Sequence, residues 1–156
     1  MTGRVALLGG GAPLADALAA RGLDVMGREL RVPAGVARVL RARGFRPELA
    51  EAWLARRAVR ALRPDVVHAF SAEAAFGALR AGARVVFSSA DVLDRGALAD
   101  HRRRLEVLTA AVEQSAAVVV ADEQAAAAMR RWLAVEPIVL DPADAAGHEA
   151  LYARLR

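Results

Sequence analysis

Residues 63–92 read RPDVVHAFSAEAAFGALRAGARVVFSSADV, and the fold class can be predicted from the pattern of this stretch. Two short apolar runs, VVHAF and VVFSS, are separated by an alanine-rich segment of helical length that begins at Ser71. Neither run alternates apolar and polar residues, which is typical of parallel strands covered by helices on both faces of a sheet. The stretch therefore predicts a strand, a helix and a second parallel strand.

The same alternation of strand and helix extends in both directions from this stretch. Strands are predicted at residues 4–10, 23–30, 64–70, 83–90, 116–122 and 136–141, and helices at 13–22, 33–43, 47–62, 71–82, 95–115, 123–134 and 144–156. This order predicts one α/β domain over residues 1–156. We expect a doubly wound, Rossmann-like fold with a parallel sheet of about six strands and helices on both faces.

The composition is that of a folded globular protein. The chain has 156 residues, of which 56% are hydrophobic, and no cysteine. A chain of this length buries about two thirds of its unfolded surface, so it needs no disulfide or metal to fold. No apolar run approaches the roughly 20 residues of a membrane-spanning helix, and the N-terminus does not follow the signal-peptide pattern. We expect a cytoplasmic protein of a single domain.

The positive charge is concentrated in one part of the chain. The formal net charge is +4, and eleven arginines fall within residues 21–63. Arg56, Arg60 and Arg63 follow the i, i+4, i+7 spacing of one helix face. This face is either simply solvated or a contact surface for an anion or for the inner, anionic surface of a membrane, where the protein would be peripheral. Nucleic acid is not indicated, because no nucleic-acid-binding motif accompanies the charge.

The same helix, residues 47–62, also carries an apolar stripe. Leu49, Trp53, Leu54 and Leu62 recur at helical spacing. We expect these four side chains to face the core, with the arginines on another face of the helix.

Polar and small residues follow three of the predicted strands at the point where each strand ends. The carboxyl ends of parallel strands meet at one edge of a sheet, where ligands of doubly wound folds bind. The candidate ligand-binding residues at this edge are Gly9, Gly10, Gly11, His68, Ser71, Ser88, Ser89 and Asp91. They form no metal-ligand cluster and no nucleophile arrangement, so we assign no catalytic residue, metal or cofactor.

Two of these residues have an alternative structural interpretation. His68 lies two residues before the end of its strand, so it is either a group of the ligand cleft or a buried, hydrogen-bonded histidine facing a helix. Ser71 is expected to cap the helix that it begins.

The glycine turn suggests a second kind of ligand. Gly9 and Gly11 match the first two positions of the G-x-G-x-x-G pattern, Leu14 replaces the third glycine, and Glu29 follows about twenty residues later. A dinucleotide-binding protein is therefore an alternative. Such a turn is also common where a strand needs positive φ and close helix packing, whatever the ligand.

Two longer segments resemble the amino-terminal half of GT-B glycosyltransferases of family 4. They are ALRPDVVHAFSAEAAFGALRAGARVVFSSADVLDRG, residues 61–96, and HRRRLEVLTAAVEQSAAVVVADEQAAAAMRRWL, residues 101–133. The family pattern has an RPDVVHAH strand, a VVFT-x-H-[GD] strand, a helix with a glutamate before ADAVVAVS, and an EAxxxxLR helix. His68, Glu106 and the turn at residues 9–11 match it. The resemblance implies that the strand-end edge holds the sugar acceptor and that the reaction class is hexosyl transfer.

The chain departs from the family pattern at several positions. Ala90 and Asp91 stand where the family has its H-[GD] pair, Phe70 replaces the second histidine of HAH, and Asp122 replaces a serine. The resemblance would lead into a second, donor-binding domain, whereas this chain ends at Arg156. We therefore expect an acceptor-side domain that is not catalytic by itself. Either a separate donor-domain chain is its partner, or the domain is an inactive form of the family reused for binding, or the sequence is a fragment. The missing family histidine favours the inactive form. The alternative from another class is a homo-oligomeric interaction module without catalysis.

Overall fold

The computed structural model describes residues 3–30, 32–44, 46–89 and 102–156. Within these ranges the strands are β1 (Arg4–Leu8), β2 (Asp24–Arg28), β3 (Val66–Ala69), β4 (Val85–Ser89), β5 (Ala117–Val120) and β6 (Ile138–Val139). The helices are α1 (Ala12–Ala20), α2 (Ala34–Ala42), α3 (Pro47–Leu62), α4 (Ala72–Leu79), α5 (Arg102–Gln114), α6 (Glu123–Leu133) and α7 (Ala145–Arg154). The first seven residues of the helix predicted at 95–115 lie outside the described residues.

The strands form one sheet in the order β2-β1-β3-β4-β5-β6, and every pair in it is parallel. This confirms the predicted doubly wound α/β fold with about six strands. The observed strands are shorter than the predicted ones, because each predicted run included residues of the turns that flank its strand. The chain moves outward from β1 to β2 and then crosses back to β3 on the other side of β1, so the strand order reverses between β1 and β3.

Helices cover both faces of the sheet, and each face has its own core. On one face α1 and α7 pack over alternate strand residues such as Val5, Leu7 and Val66, with Leu151 and Tyr152 contributed by α7. On the other face α3, α4, α5 and α6 pack over the residues between them. This division explains the uninterrupted apolar runs, since both sets of strand side chains are buried.

The packing of α3 against α4 depends on one glycine. A Cβ at Gly77 of α4 would overlap with the backbone carbonyl of Ala52 in α3. The two helices therefore approach more closely than any side chain at position 77 allows. This contact holds α3 beside the edge where β1 and β3 end.

One predicted orientation in α3 is wrong. Leu49 and Trp53 are 52% and 57% exposed, so they do not face the core. Ala55 and Val59 are the buried residues of the helix, with Leu54 and Leu62 packed against the same core cluster. The close contact with α4 explains the difference, because it selects the face of α3 with small side chains and leaves the large ones outside.

Candidate functional site

The structure brings the glycine turn, Ser71, Ser88 and Ser89 to one edge of the sheet. β1 pairs with β3 and β3 with β4, so their carboxyl ends are adjacent. The reversal of strand order between β1 and β3 falls at this edge, which is where ligands of open α/β sheets bind. Their shared location is as expected from the sequence, and their role in ligand binding stays a prediction.

The glycine turn is covered by an aromatic ring. Gly9 and Gly11 have φ of 81° and 79°, and the Gly9 amide donates to the carbonyl oxygen of Arg28 at 3.0 Å. A Cβ at Gly11 would overlap with the ring of Phe70, and one at Gly10 would lie 3.2 Å from the Phe70 Cβ. Phe70 therefore occupies the space that a side chain at position 11 would need, so the turn requires glycine there. The dinucleotide alternative stays a prediction.

Ser71 is engaged in two hydrogen bonds. Its Oγ accepts from the Ala74 amide at 3.1 Å, which makes it the N-cap of α4 as predicted, and donates to the Glu51 carboxylate at 2.5 Å. Glu51 comes from α3 and lies beside Gly9. The edge thus has a half-buried carboxylate next to the point where β1 and β3 end.

Of the two interpretations of His68, a group of the ligand cleft or a buried, hydrogen-bonded histidine, the structure has the second. It is fully inaccessible, and it faces the core formed with α1 and α7. Its Nδ1 lies 2.6 Å from the Tyr152 hydroxyl, and its Nε2 lies 2.6 Å from the Ser88 Oγ. The ring stacks on Phe70 at 4.4 Å and lies 5.3 Å from the ring of His148. These contacts join β3, β4 and α7 in one polar cluster below the edge.

Burial shifts the pKa of each titratable group of this cluster toward its neutral form. Desolvation, aided by His148, lowers the pKa of His68 to about 3. Burial also lowers the pKa of His148, although the backbone of Asp141 and the carboxylates of Asp144 and Asp141 oppose it. The Tyr152 pKa is raised by burial, so the phenol stays protonated. A neutral imidazole with so low a pKa is a poor general base at neutral pH.

His148 lacks hydrogen bonds within the described part of the chain. It is 1% exposed, and neither ring nitrogen has a hydrogen-bond partner there, although the backbone of Asp141 acts to raise its pKa. A buried imidazole without a partner is costly.

The remaining predicted site residues are Ser89 and Asp91, near the end of β4, and the three arginines of α3. Ser89 is half-buried at the last position of β4 and points to the opposite face from Ser88, while Asp91 lies outside the described residues, as does Ala90. Arg56, Arg60 and Arg63 are exposed on α3 and at its C-cap. They share one face of the helix with the exposed Leu49 and Trp53.

Sequence reasoning missed three residues of the site: Glu51, His148 and Tyr152. His148 and Tyr152 are spaced i, i+4 in the terminal helix, which places them on one face, but nothing local indicates that this face meets β3. Glu51 stands in an ordinary helical sequence and gave no signal.

The described residues contain neither a candidate metal site nor a helix that could span a membrane. No group of three or more histidine or acidic side chains within residues 3–30, 32–44, 46–89 and 102–156 is placed to hold a metal ion. None of the helices in the described ranges combines the length and apolar character needed to cross a membrane.

Comparison with known proteins relates this architecture to sugar-transferring enzymes. The family model described as the glycosyl transferase 4-like domain matches residues 3–142. No match was found among curated proteins. Among solved structures, the chain is similar to sucrose-phosphate synthase of Thermosynechococcus elongatus, with a TM-score of 0.66 and 16% identity over 97% of this chain and 98% of the other. At that identity the likeness is one of fold.

Proposed function

Because the chain belongs to the glycosyl transferase 4-like family, we propose that it is the acceptor-binding half of a GT-B glycosyltransferase. In this proposal the edge formed by the ends of β1, β3 and β4 binds the acceptor, and a donor-binding domain on a partner chain binds the nucleotide sugar. The isolated chain then binds an acceptor without transferring sugar, since transfer needs donor and acceptor aligned in a closed cleft.

The observation that carries this proposal is the state of the two described histidines. Both are buried, and the pKa of each is lowered by burial. Groups suited to hydrogen bonding, such as Ser88, Ser89 and Glu51, are half-buried at the edge instead. Such groups favour binding of a hydroxylated ligand over acid–base chemistry.

Mapping of ligands by amide chemical shifts tests the proposal. The isolated chain is titrated with UDP-glucose, GDP-mannose, ADP-glucose and NAD, and separately with a panel of sugar and polyol acceptors. We expect acceptors to shift amides of residues 9–11, 70–71 and 88–89, and the nucleotides to shift none. Shifts at this edge with a nucleotide sugar would contradict the absence of donor binding, and shifts with NAD would support a dinucleotide-binding protein.

A pair of variants separates edge binding from a general effect. Ser89→Leu enlarges a side chain at the edge and should weaken acceptor binding by about tenfold, the value of one or two lost contacts. Val36→Leu enlarges a side chain that is 49% exposed on α2, and it should leave binding unchanged. If the two variants weaken acceptor binding equally, the acceptor does not bind at this edge.

A specific surface supports a second proposal, docking to an anionic membrane. Leu49 and Trp53 lie on the same face of α3 as Arg56, Arg60 and Arg63, so apolar and cationic side chains follow each other along one exposed line. Such a line suits a membrane surface, because apolar groups enter the interface while arginines are attracted to anionic headgroups. The exposed Val36 and Val39 of the neighbouring α2 extend the apolar character.

Vesicle sedimentation with a matched charge control tests this docking. Wild type should bind phosphatidylglycerol-containing vesicles and not pure phosphatidylcholine vesicles. Replacing Arg56, Arg60 and Arg63 by glutamine should weaken binding on the order of tenfold or more. Replacing the exposed Arg102, Arg103 and Arg104 of α5 removes the same charge and should have a smaller effect.

Two outcomes would contradict membrane docking. Equal losses of vesicle binding in the two triple variants would show that binding depends on the net charge of the protein and not on the α3 face. A dimer in solution that depends on Trp53 would instead assign the α3 face to a second copy of the chain and support the homo-oligomeric alternative.

A further inference from the structure

Three side chains from three elements form a continuous hydrogen-bonded chain below the edge. Tyr152 of α7 contacts Nδ1 of His68 in β3, and Nε2 of His68 contacts Ser88 of β4, with both distances at 2.6 Å. Tyr152 and His68 are fully buried, whereas Ser88 is half-buried. The chain therefore has one end in the core and one end at the edge.

The neutral state of His68 limits the directions of these hydrogen bonds. A neutral imidazole has one donor nitrogen and one acceptor nitrogen, so its two partners must have opposite roles. Burial lowers the pKa of His68 to about 3, which keeps the ring neutral at physiological pH. Either Tyr152 donates and Ser88 accepts, or Tyr152 accepts and Ser88 donates.

The phenol of Tyr152 decides between these two arrangements. Within the described part of the chain, its hydroxyl hydrogen-bonds to His68 alone, and burial raises its pKa so that it keeps its proton. If Tyr152 accepted from His68, its own buried O–H would be left without an acceptor among these residues, which is costly. Tyr152 therefore donates to Nδ1, the ring carries its proton on Nε2, and Nε2 donates to the Ser88 Oγ.

We propose that the Tyr152–His68–Ser88 chain holds the Ser88 hydroxyl as a hydrogen-bond donor toward the edge, where it binds an uncharged oxygen of a polyol ligand. Because the Ser88 Oγ already accepts from His68, its proton is free to be donated to another group. Tyr152 and His68 are then positioning residues, which act on the ligand only through Ser88.

The charges around the cluster favour an uncharged oxygen over an anion. The His68 imidazole is neutral, burial lowers the pKa of His148, and the charged groups that act on His148 are the carboxylates of Asp141 and Asp144. No cationic side chain in the described ranges forms a hydrogen bond or ion pair with Tyr152, His68 or Ser88. A phosphate would therefore find one donor and nearby negative charge, whereas a sugar or inositol hydroxyl accepts from Ser88 without repulsion. Only this assignment of a polyol rests on the proposed function.

The tautomer of His68 is the direct test. In uniformly ¹⁵N-labelled protein, long-range proton–nitrogen correlation spectra identify which ring nitrogen carries the proton. We expect a protonated Nε2 and an unprotonated Nδ1 that do not change between pH of about 8 and about 5. A proton on Nδ1, or titration within this range, would overturn the proposal.

Two variants distinguish the directed chain from mere packing. Tyr152→Phe removes the donor to Nδ1, so we expect His68 to populate both tautomers. Ser88→Ala removes the other partner while Tyr152 still donates, so we expect the Nε2-protonated form to persist. Loss of the tautomer preference in Ser88→Ala would contradict the assigned role of Tyr152. Should Tyr152→Phe fail to fold, the wild type and Ser88→Ala still decide the question.

Titration with myo-inositol, glucose and inorganic phosphate tests the class of ligand. We expect the polyols to shift the Ser88 amide and the His68 Nε2 resonance, with about fivefold weaker binding in Ser88→Ala. Shifts with phosphate alone, or with none of the three probes, would overturn the assignment of a polyol. Binding of nucleotide sugars would contradict the proposed function while leaving the tautomer result unaffected.

Discussion

At the scale of single residues, burial determines what the histidines are able to do. His68 belongs to the VVHAF run, whose end lies at the edge of the sheet. Its ring nevertheless points into the core, and both of its nitrogens form hydrogen bonds. Its neighbour Ser88 is the member of the pair that reaches the edge. The residue type in a motif therefore does not by itself identify the group that meets a ligand.

The lowered pKa of His68 predicts a loss of stability in mild acid. In the unfolded chain His68 titrates near its usual 6.5, and in the folded protein only near 3. Between these values the unfolded state binds more protons, so the free energy of unfolding falls as the pH falls. One proton corresponds to about 1.4 kcal/mol per pH unit. His148, whose pKa is also lowered by burial, adds to the decrease.

Urea unfolding at pH values from about 8 to about 5 measures this effect, because most carboxylates stay ionised over that range. The midpoint should be constant at the upper end and should decrease below a pH of about 6.5. A midpoint that does not change down to a pH of about 5 would show that His68 has an ordinary pKa in the folded protein.

Replacement of His148 is expected to stabilise the protein. His148→Leu removes two buried nitrogens that lack partners in the described part of the chain, and leucine favours a helix more than histidine does. We expect an increase of about 1 kcal/mol in the free energy of unfolding at neutral pH, measured by urea titration. A decrease would indicate that the imidazole has a partner in solution.

At the scale of elements, α3 connects the fold to two candidate surfaces. Its buried face packs against α4 and the sheet, Glu51 reaches the glycine turn, and its exposed face carries Trp53 and the arginines. The position of Gly77 in α4 sets this orientation.

Gly77→Ala should therefore destabilise the protein although alanine is the better helix former. A Cβ there would overlap with the carbonyl of Ala52, so α3 and α4 must separate, which we expect to cost about 1–3 kcal/mol as in other overpacked cores. The matched control is Gly35→Ala in α2, where an added Cβ meets nothing within 4 Å. Gly35 lies in the first turn of α2, so that change should stabilise by at most about 0.5–1 kcal/mol, the value for a helix interior. Thermal unfolding of both variants gives the comparison, and a stabilised Gly77→Ala would contradict the close contact.

At the scale of the whole molecule, α7 completes one face of the sheet. It contributes Leu151 and Tyr152 to the core that contains β1 and β3, and it contacts α1. The family match ends at residue 142, before this helix begins. The cluster that orients Ser88 thus depends on a segment outside the matched region.

Removal of residues 145–156 is therefore expected to unfold the chain. Burial of a large apolar side chain contributes about 1.5–3 kcal/mol, and the deletion also exposes strand residues beneath α7, against a total stability of about 5–15 kcal/mol for a typical domain. Circular dichroism and urea titration should show loss of the cooperative transition. Removal of the exposed Arg156 alone is the control and should leave the transition intact. A cooperative transition in the longer deletion would contradict this role of α7.

The order of elements and the class of fold could be predicted from local patterns in the sequence. Strands buried on both faces need uninterrupted apolar runs, and this requirement is local, so VVHAF and VVFSS are recognisable without any partner. Because parallel strands end at a common edge, the glycine turn and the serines could also be assigned to one place.

The side chains that meet at that edge, and the directions in which they face, depend on packing between distant elements and could not be predicted. Tyr152 is 84 positions from His68, and no local pattern indicates a contact over that distance. The outward orientation of Leu49 and Trp53 likewise follows from the packing of α3 on Gly77 in another helix. The physical reason is the same in both cases: periodicity places residues on a common face of an element, whereas the choice of the buried face depends on the element that packs against it.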